Sequence, residues 1–293
     1  MNKRLKISFS GGETSAYMLI WAKQNLFHKY DEVIVTFANT SQENEQTLEF
    51  VDRVSRHWDI PVVWLEAVVH HDQRKGSTHK IVDFKTAARN GEVFEEVIKK
   101  YGIPNPDFQP CNRELKVNPM NSYCRSLGWK KGTYDTAIGI RADEIDRINP
   151  NYREQSLIYP LAFDYPITKP LINDFWQRQP FRLELKGYEG NCKWCWKKSL
   201  RKHLTLITEH PEWYDFPERM EREYGFAGAR VEGDTKPRVF FRQYQNVRDL
   251  RELAALGRFT PADDDSVIYP ELDLFGFDLD SSYGCTESCE VSE

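Results

Sequence analysis

Residues 8 to 19, SFSGGETSAYML, set two adjacent glycines among hydroxyl side chains, directly after an apolar run and directly before a helix-like one. Glycine lets successive backbone N–H groups face one concavity, and a helix that follows aims its positive end at the same place. The turn Ser10-Gly11-Gly12-Glu13-Thr14 therefore reads as an anion site suited to phosphate. A tight turn capped by Ser or Thr would share the two glycines. The loop lacks the lysine of a Walker motif and is not GxGxxG. The cysteines form a second group. Cys192 and Cys195 make a CxxC ringed by Lys193, Lys197, Lys198, Arg201 and Lys202, Cys285 and Cys289 make a CxxxC, and Cys111 opens a predicted helix. Nearby cations favour thiolates, and two pairs far apart in sequence suit a four-thiolate site for zinc or an iron–sulfur cluster. The favoured set is Cys192, Cys195, Cys285 and Cys289. Cys111 in place of one tail cysteine is an alternative, as is a disulfide relay through the tail pair. Cys124 reads as packing. The run KWCWKKSLRKH interleaves tryptophans with cations, which fits either a nucleic-acid groove or a helix covering a cluster.

These residues need a scaffold. Leu5, Ile7 and Phe9 alternate like a short strand, Ser15 to Lys23 reads as a helix, and residues 33–37 are a continuous apolar run of the buried parallel type. Glu43 to His57 is a second amphipathic helix and 61–65 a third strand, so the expected fold is α/β, a Rossmann-like parallel sheet with helices on both faces. In such a sheet ligands bind at the carboxyl ends of the strands, where residues 10–14 and 38–41 lie. Residues 70–81, with three histidines, read as a solvated loop, Lys85 to Tyr101 as a helix, 112–129 as a helix pair and Thr136 to Ile140 as a strand. The run GNCKWCWKKSLRKHL is expected to begin a new helix. Prolines from residue 150 onward mark a soft boundary. The expected division is 1–150, a nucleotide-binding α/β domain, and 151–293, a smaller mainly helical cysteine-containing region that partly completes the same fold.

The chain of 293 residues, 40% hydrophobic and 13% aromatic, can bury a sizeable core. A net charge of −5 gives no global basic field, so contact with nucleic acid requires a local patch or a partner. With no membrane-length apolar run and an N-terminus that enters a strand, a cytoplasmic location is expected.

In order along the chain, FSGGETS, FANTSQENEQTLEFV, CNRELKVNP, GIRADEIDR, YPLAF with a following FW, GNCKWC and CTESC resemble the phosphoadenosine phosphosulfate (PAPS) reductase family. The first of these resembles the PP-loop, SGGxxS, of the wider ATP pyrophosphatase superfamily. The resemblance covers nearly the whole chain and implies an adenine nucleotide alpha hydrolase-like fold. It also implies that Ser10, Gly11, Gly12, Thr14 and Ser15 wrap the phosphates of ATP, with Phe9, Phe37 and Ala38 beside the adenine and Asn39 and Thr40 near ribose or phosphates. Arg113 and Lys116 would supply positive charge to a phosphate or to the developing charge of the reaction, and Arg141 is a similar candidate. Asp143 and Glu144 would orient Arg141 or hold Mg²⁺. The implied activity is an ATP pyrophosphatase that adenylates a substrate oxygen so that sulfur can replace it. The similarity extends to the SspD and DndC types of DNA phosphorothioation component, which implies a cysteine desulfurase or other sulfur donor as partner, with DNA presented by another subunit; a homodimer is also compatible. The alternative is a PAPS or adenylylsulfate reductase using a tail cysteine and thioredoxin. Those reductases end in an ECGIH-like motif, whereas this chain has GCTESCEVSE and retains the full SGGxxS loop.

Overall fold

The computed structural model describes residues 2–228 and 235–266. A six-stranded sheet has the order β4-β3-β2-β1-β5-β6, built from Arg4–Ser8 (β1), Glu32–Asn39 (β2), Val63–Val68 (β3), Thr78–Val82 (β4), Asp135–Ala137 (β5) and Leu157–Ile158 (β6). Every neighbouring pair is parallel except β3 with β4. This is the α/β class expected, with strands extending to both sides of β1. Order reverses there, and the crevice between β1 and β5 is the switch point at which such sheets bind ligands.

The helices α1 (Glu13–Asn25) and α2 (Glu45–His57) follow the first two strands. Leu5, Ile7, Phe9, Val35 and Phe37 of the sheet pack with Met18 and Leu19 of α1 and with Leu48, Val51 and Val54 of α2, all at most 3% exposed. Helices α3 (Glu92–Tyr101), α4 (Pro110–Asn112) and α5 (Asn118–Ser126) come next. A π turn at Arg113–Val117 joins α4 to α5 in one continuous helical stretch. After β6, α6 (Pro160–Phe163) and α7 (Lys169–Gln177) add Leu161, Ile172 and Trp176 to the sheet core. A second core gathers Val97 and Ile98 of α3 with α8 (Leu200–Glu209), α9 (Asp215–Tyr224) and α10 (Val247–Ala255), and it encloses Trp194, Cys192 and Cys195.

Three expectations need correction. Residues 78–82 are not loop but an antiparallel edge strand, held by pairs such as Trp64 with Val82 and by His79 Nδ1, 2.9 Å from Ser122 Oγ of α5. The helix expected from Lys85 begins only at Glu92. Asp83 draws the Lys85 and Thr86 N–H groups into a turn, and Gly91 sits at φ +89°, a conformation that stops helix propagation from the N-terminal side. The cysteine pair lies in turns before α8, which starts at Leu200 under the cap of Ser199, whose Oγ accepts from Lys202 N at 3.3 Å.

Candidate nucleotide cleft and thiol cavity

The SGGETS turn is a self-bonded loop. Ser10 N donates to Ser15 Oγ at 3.2 Å, the two hydroxyls lie 2.8 Å apart, and Ser15 Oγ donates to Gly12 O at 3.0 Å. Gly11 has φ +88°, and a Cβ there would lie 2.7 Å from Thr47 Cγ2 of α2, so the loop rests directly on that helix. Gly139, after β5, comes as close to the other side: its Cβ would meet Ser15 Cα at 3.0 Å. Phe9 and Phe37 are buried beneath the loop, 6.5 Å apart, so beside a nucleotide they can offer only backbone, as can buried Ala38.

Glu13 is an anchor. It is 3% exposed, and its two carboxylate oxygens accept Arg182 Nε and Nη2, each at 3.0 Å, while its carbonyl accepts Trp176 Nε1 at 3.0 Å. This ties residues 182–187 to the loop as an opposite wall. Ser10, Gly11, Gly12, Glu43, Thr47 and Lys116 line a narrow cleft whose other side is made by Lys169, Leu183, Leu185, Lys186, Gly187, Gly190 and Asn191. Its cavity volume is about 30 Å³, room for little more than a water.

Arg141 stands behind the loop, 6% exposed, with Nη1 donating to Thr14 Oγ1 at 3.0 Å and Nε to Asp143 Oδ1 at 2.9 Å. The other Asp143 oxygen accepts Lys169 N at 3.2 Å, and Glu144 accepts Arg141 N at 3.3 Å and pairs with Arg147. Asp143 and Glu144 therefore both pair with Arg141. Arg113 does not line the cleft; its Nε pairs with Glu114 Oε1 at 2.9 Å and its guanidinium faces the Tyr101 ring. Lys116 does line it. The π turn widens the helix by one residue there, a distortion frequent at functional sites.

The turn after β2 joins this cleft to the cysteines. Asn39 is buried with its amide satisfied by protein, donating to Glu66 Oε1 and Ala88 O at 2.8 Å each and accepting from Ser41 N. Thr40 N and Oγ1 both donate to Glu43, and Thr40 Oγ1 lies 3.4 Å from Cys192 Sγ. Gln42 grips the CxxC segment, its carbonyl accepting Lys193 N at 3.0 Å and its side chain accepting Trp194 Nε1.

Cys111, Cys192 and Cys195 line one cavity with Thr40, Lys116, Trp196 and Lys197. Beside it Lys198 is buried and donates to the carbonyls of Tyr188 and Gly190; burial pushes its pKa down to about 8, against the pull of Cys195 and Cys192. The cation next to the thiols is thus held by backbone. Cys285 and Cys289 lie outside the described residues. Cys124 is fully buried beside β1, where burial raises its pKa. Among the described residues the set of three ligand atoms within 4.8 Å of one another is Glu189, Glu209 and His210, and Lys186 already stands 2.8 Å from Glu209.

Sequence reasoning did not foresee the wall at 182–191 or Lys169. Its one signal was the KGYEGN run, where two glycines and a lysine follow a proline-rich stretch.

No protein-family profile matches the chain. It is 26% identical over 157 residues to the 7-cyano-7-deazaguanine synthase of Pyrococcus furiosus, a match covering 53% of this chain and 61% of that protein. This distant homology supports the PP-loop ATP pyrophosphatase superfamily at that level and no finer one. An uncharacterized protein of Methanocaldococcus jannaschii is 26% identical over 155 residues, 53% of this chain but 30% of its own length. An uncharacterized nin region protein of Escherichia phage lambda, ORF290, is 34% identical over 199 residues, 67% of each chain, and the present chain belongs to its family. No helix among the described residues is long and apolar enough to cross a membrane.

Proposed function

We propose that the protein is an ATP pyrophosphatase that adenylates a substrate oxygen for replacement by sulfur. ATP would lie with its phosphates on Ser10, Gly11 and Gly12, with Lys116 and the backbone of the 186–191 wall beside them and Arg141 steadying Thr14. A substrate oxygen attacks the α-phosphorus, the α–β bond breaks and pyrophosphate leaves; sulfur from a donor then displaces AMP. Mg²⁺ would accompany the phosphates. The observation that carries this reading is the adjacency of the two cavities: Lys116 lines both, and Thr40 links Glu43 of the cleft to Cys192 of the thiol site.

The thiol donors suit an iron–sulfur cluster or zinc, both of which take four cysteine ligands. A bound cluster would supply the sulfur or electrons that the replacement step needs. Cys111, Cys192 and Cys195 would hold it with a further ligand from Cys285 or Cys289. A cysteine desulfurase is the donor we propose, and the phosphate backbone of DNA a substrate, making phosphorothioate.

The test is anaerobic incubation of the full chain with Mg²⁺ and either ATP or PAPS, assayed for AMP, pyrophosphate and sulfite. AMP and pyrophosphate from ATP, abolished in the Ser10→Ala, Gly12→Asp double variant, are expected. Sulfite from PAPS in the presence of thioredoxin, without pyrophosphate from ATP, would replace this reading by a reductase.

A further inference from the structure

A second, larger cavity adjoins the thiol cavity through Trp196 and Lys197, whereas the nucleotide cleft adjoins it through Lys116. Its volume is about 570 Å³, within the range of small-molecule sites, and it is lined by Asn105, Asp107, Gln109, Trp196, Lys197, Phe241, Arg242 and Tyr244 among others. Trp196 and Lys197 also line the thiol cavity, so one dipeptide is the partition between the two. Three features describe its guest. Tyr244 is 80% exposed, an aromatic face presented to solvent, and both it and Gln243 hold left-handed backbone, with φ of +56° and +59°. Such backbone is costly for residues with side chains and persists where the surroundings impose it. Two cations border the cavity: Lys197, over the Trp196 ring, and Arg242, whose Nη2 donates to Lys197 O at 3.1 Å. Around them Asn105 Nδ2 and Gln109 Oε1 can match the edge of a planar heterocycle, while Asn105 Oδ1 accepts Asp107 N and Phe108 N and Gln109 Nε2 donates to Pro106 O. Trp196 is 4% exposed, and its indole Nε1 is a buried donor without an acceptor among the described residues.

An exposed aromatic face, flanking cations and amide groups form the combination that takes a base by stacking and its phosphate by charge. We propose that this groove binds an unpaired nucleotide of a nucleic-acid strand and sets that strand beside the thiols. A duplex fits poorly, because its bases are stacked on one another and unavailable to Tyr244. The proposal rests on the sulfur-transfer reading for its chemistry and names the substrate class; strand binding itself is independent of ATP.

The experiment is fluorescence anisotropy of the full chain with a labelled 12-nucleotide single strand of mixed sequence, as DNA and as RNA, and with the matching DNA duplex. Either single strand should bind at least tenfold tighter than the duplex, the tighter of the two identifying the source. Tyr244→Ala should weaken it about tenfold and Tyr244→Phe should restore it, since stacking needs the ring alone. Lys197→Gln should lower the slope of log affinity against log salt by about 0.7. Gly12→Asp should leave strand binding unchanged. A duplex bound as tightly as the strand, or Tyr244→Ala and Lys197→Gln without effect, would overturn the groove. Strand binding that needs Tyr244 in a protein releasing no pyrophosphate would sink the ATP reading and leave the groove standing; the reverse pattern would sink the groove alone.

Discussion

The nucleotide cleft and the aromatic groove flank the same thiol cavity, yet they are built by opposite means. The cleft is made of backbone and close packing, with two glycines whose missing Cβ atoms are replaced by Thr47 and Ser15, and it admits about 30 Å³. The groove is made of side chains on strained backbone and is open to about 570 Å³. A site that grips a constant group such as phosphate can be preformed from main-chain N–H groups. One that accepts a variable partner uses rings and flexible cations, whose contacts tolerate sequence. The difference also separates how each site should fail.

The largest effect belongs to the packed side. Gly11→Val forces a branched side chain into φ +88° and into Thr47, and it should abolish pyrophosphate release while lowering stability by about 1–3 kcal/mol, read by urea denaturation. Next, Lys116→Ala should reduce kcat/KM for pyrophosphate release about 100-fold, the size of losing one charge-stabilising donor, with strand affinity in the groove unchanged. A loss of both would mean that the two sites are one. Arg182→Ala leaves Glu13 buried without its guanidinium and should cost about 2–4 kcal/mol; because Arg182 is partly exposed, the lower half of that range is expected. Glu13→Gln combined with Arg182→Leu should cost less than the single change, measured by the same denaturation.

The smallest effect is one of pH and lies in the second core. His203 is buried with Nδ1 2.7 Å from Tyr214 Oη, and burial, with the charge of Lys198, pushes its pKa down to about 3. The unfolded chain binds a proton at about 6.5 that the folded chain refuses, so stability present above that pH is lost as pH falls from about 6.5 toward 3. The slope from this group is at most about 1.4 kcal/mol per pH unit. His203→Gln should flatten the urea midpoint between pH 7 and 5, and an unchanged slope would assign the acid sensitivity elsewhere.

Local signals made the β1–α1–β2–α2–β3 half of the fold legible, because strand alternation, helix periodicity and the glycine turn all act within a few residues. The edge strand β4 was hidden by composition: THKIV shows no clean apolar alternation, with Lys80 and Ile81 both exposed, and only pairing with β3 distinguishes it from loop. The break at Gly91 was hidden because an isolated glycine costs a helix little until a positive φ is imposed. In the site, the sequence assigned Glu13 no role within SGGETS, since nothing in it places Arg182 against Glu13 169 residues later. The tryptophans of KWCWKK also misled. Trp194 is fully buried, 4.7 Å from Phe240 and stacked on Phe216, so it is core rather than platform. The exposed ring comes from Tyr244, outside any motif. Lys198, one of the cations expected around the CxxC, is buried beside its thiols.

The smallness of the nucleotide cleft carries a consequence for rates. A guest the size of ATP enters only after the 182–187 wall has moved off the loop, and that wall is latched by three hydrogen bonds to the buried Glu13 carboxylate, two from Arg182 and one from Leu183 N. Association should then be gated: in a rapid-mixing experiment with fluorescent ATP, the observed rate should level off as nucleotide concentration rises, at the frequency with which the wall opens. Weakening the latch by Arg182→Lys should raise that plateau even as it loosens the fold.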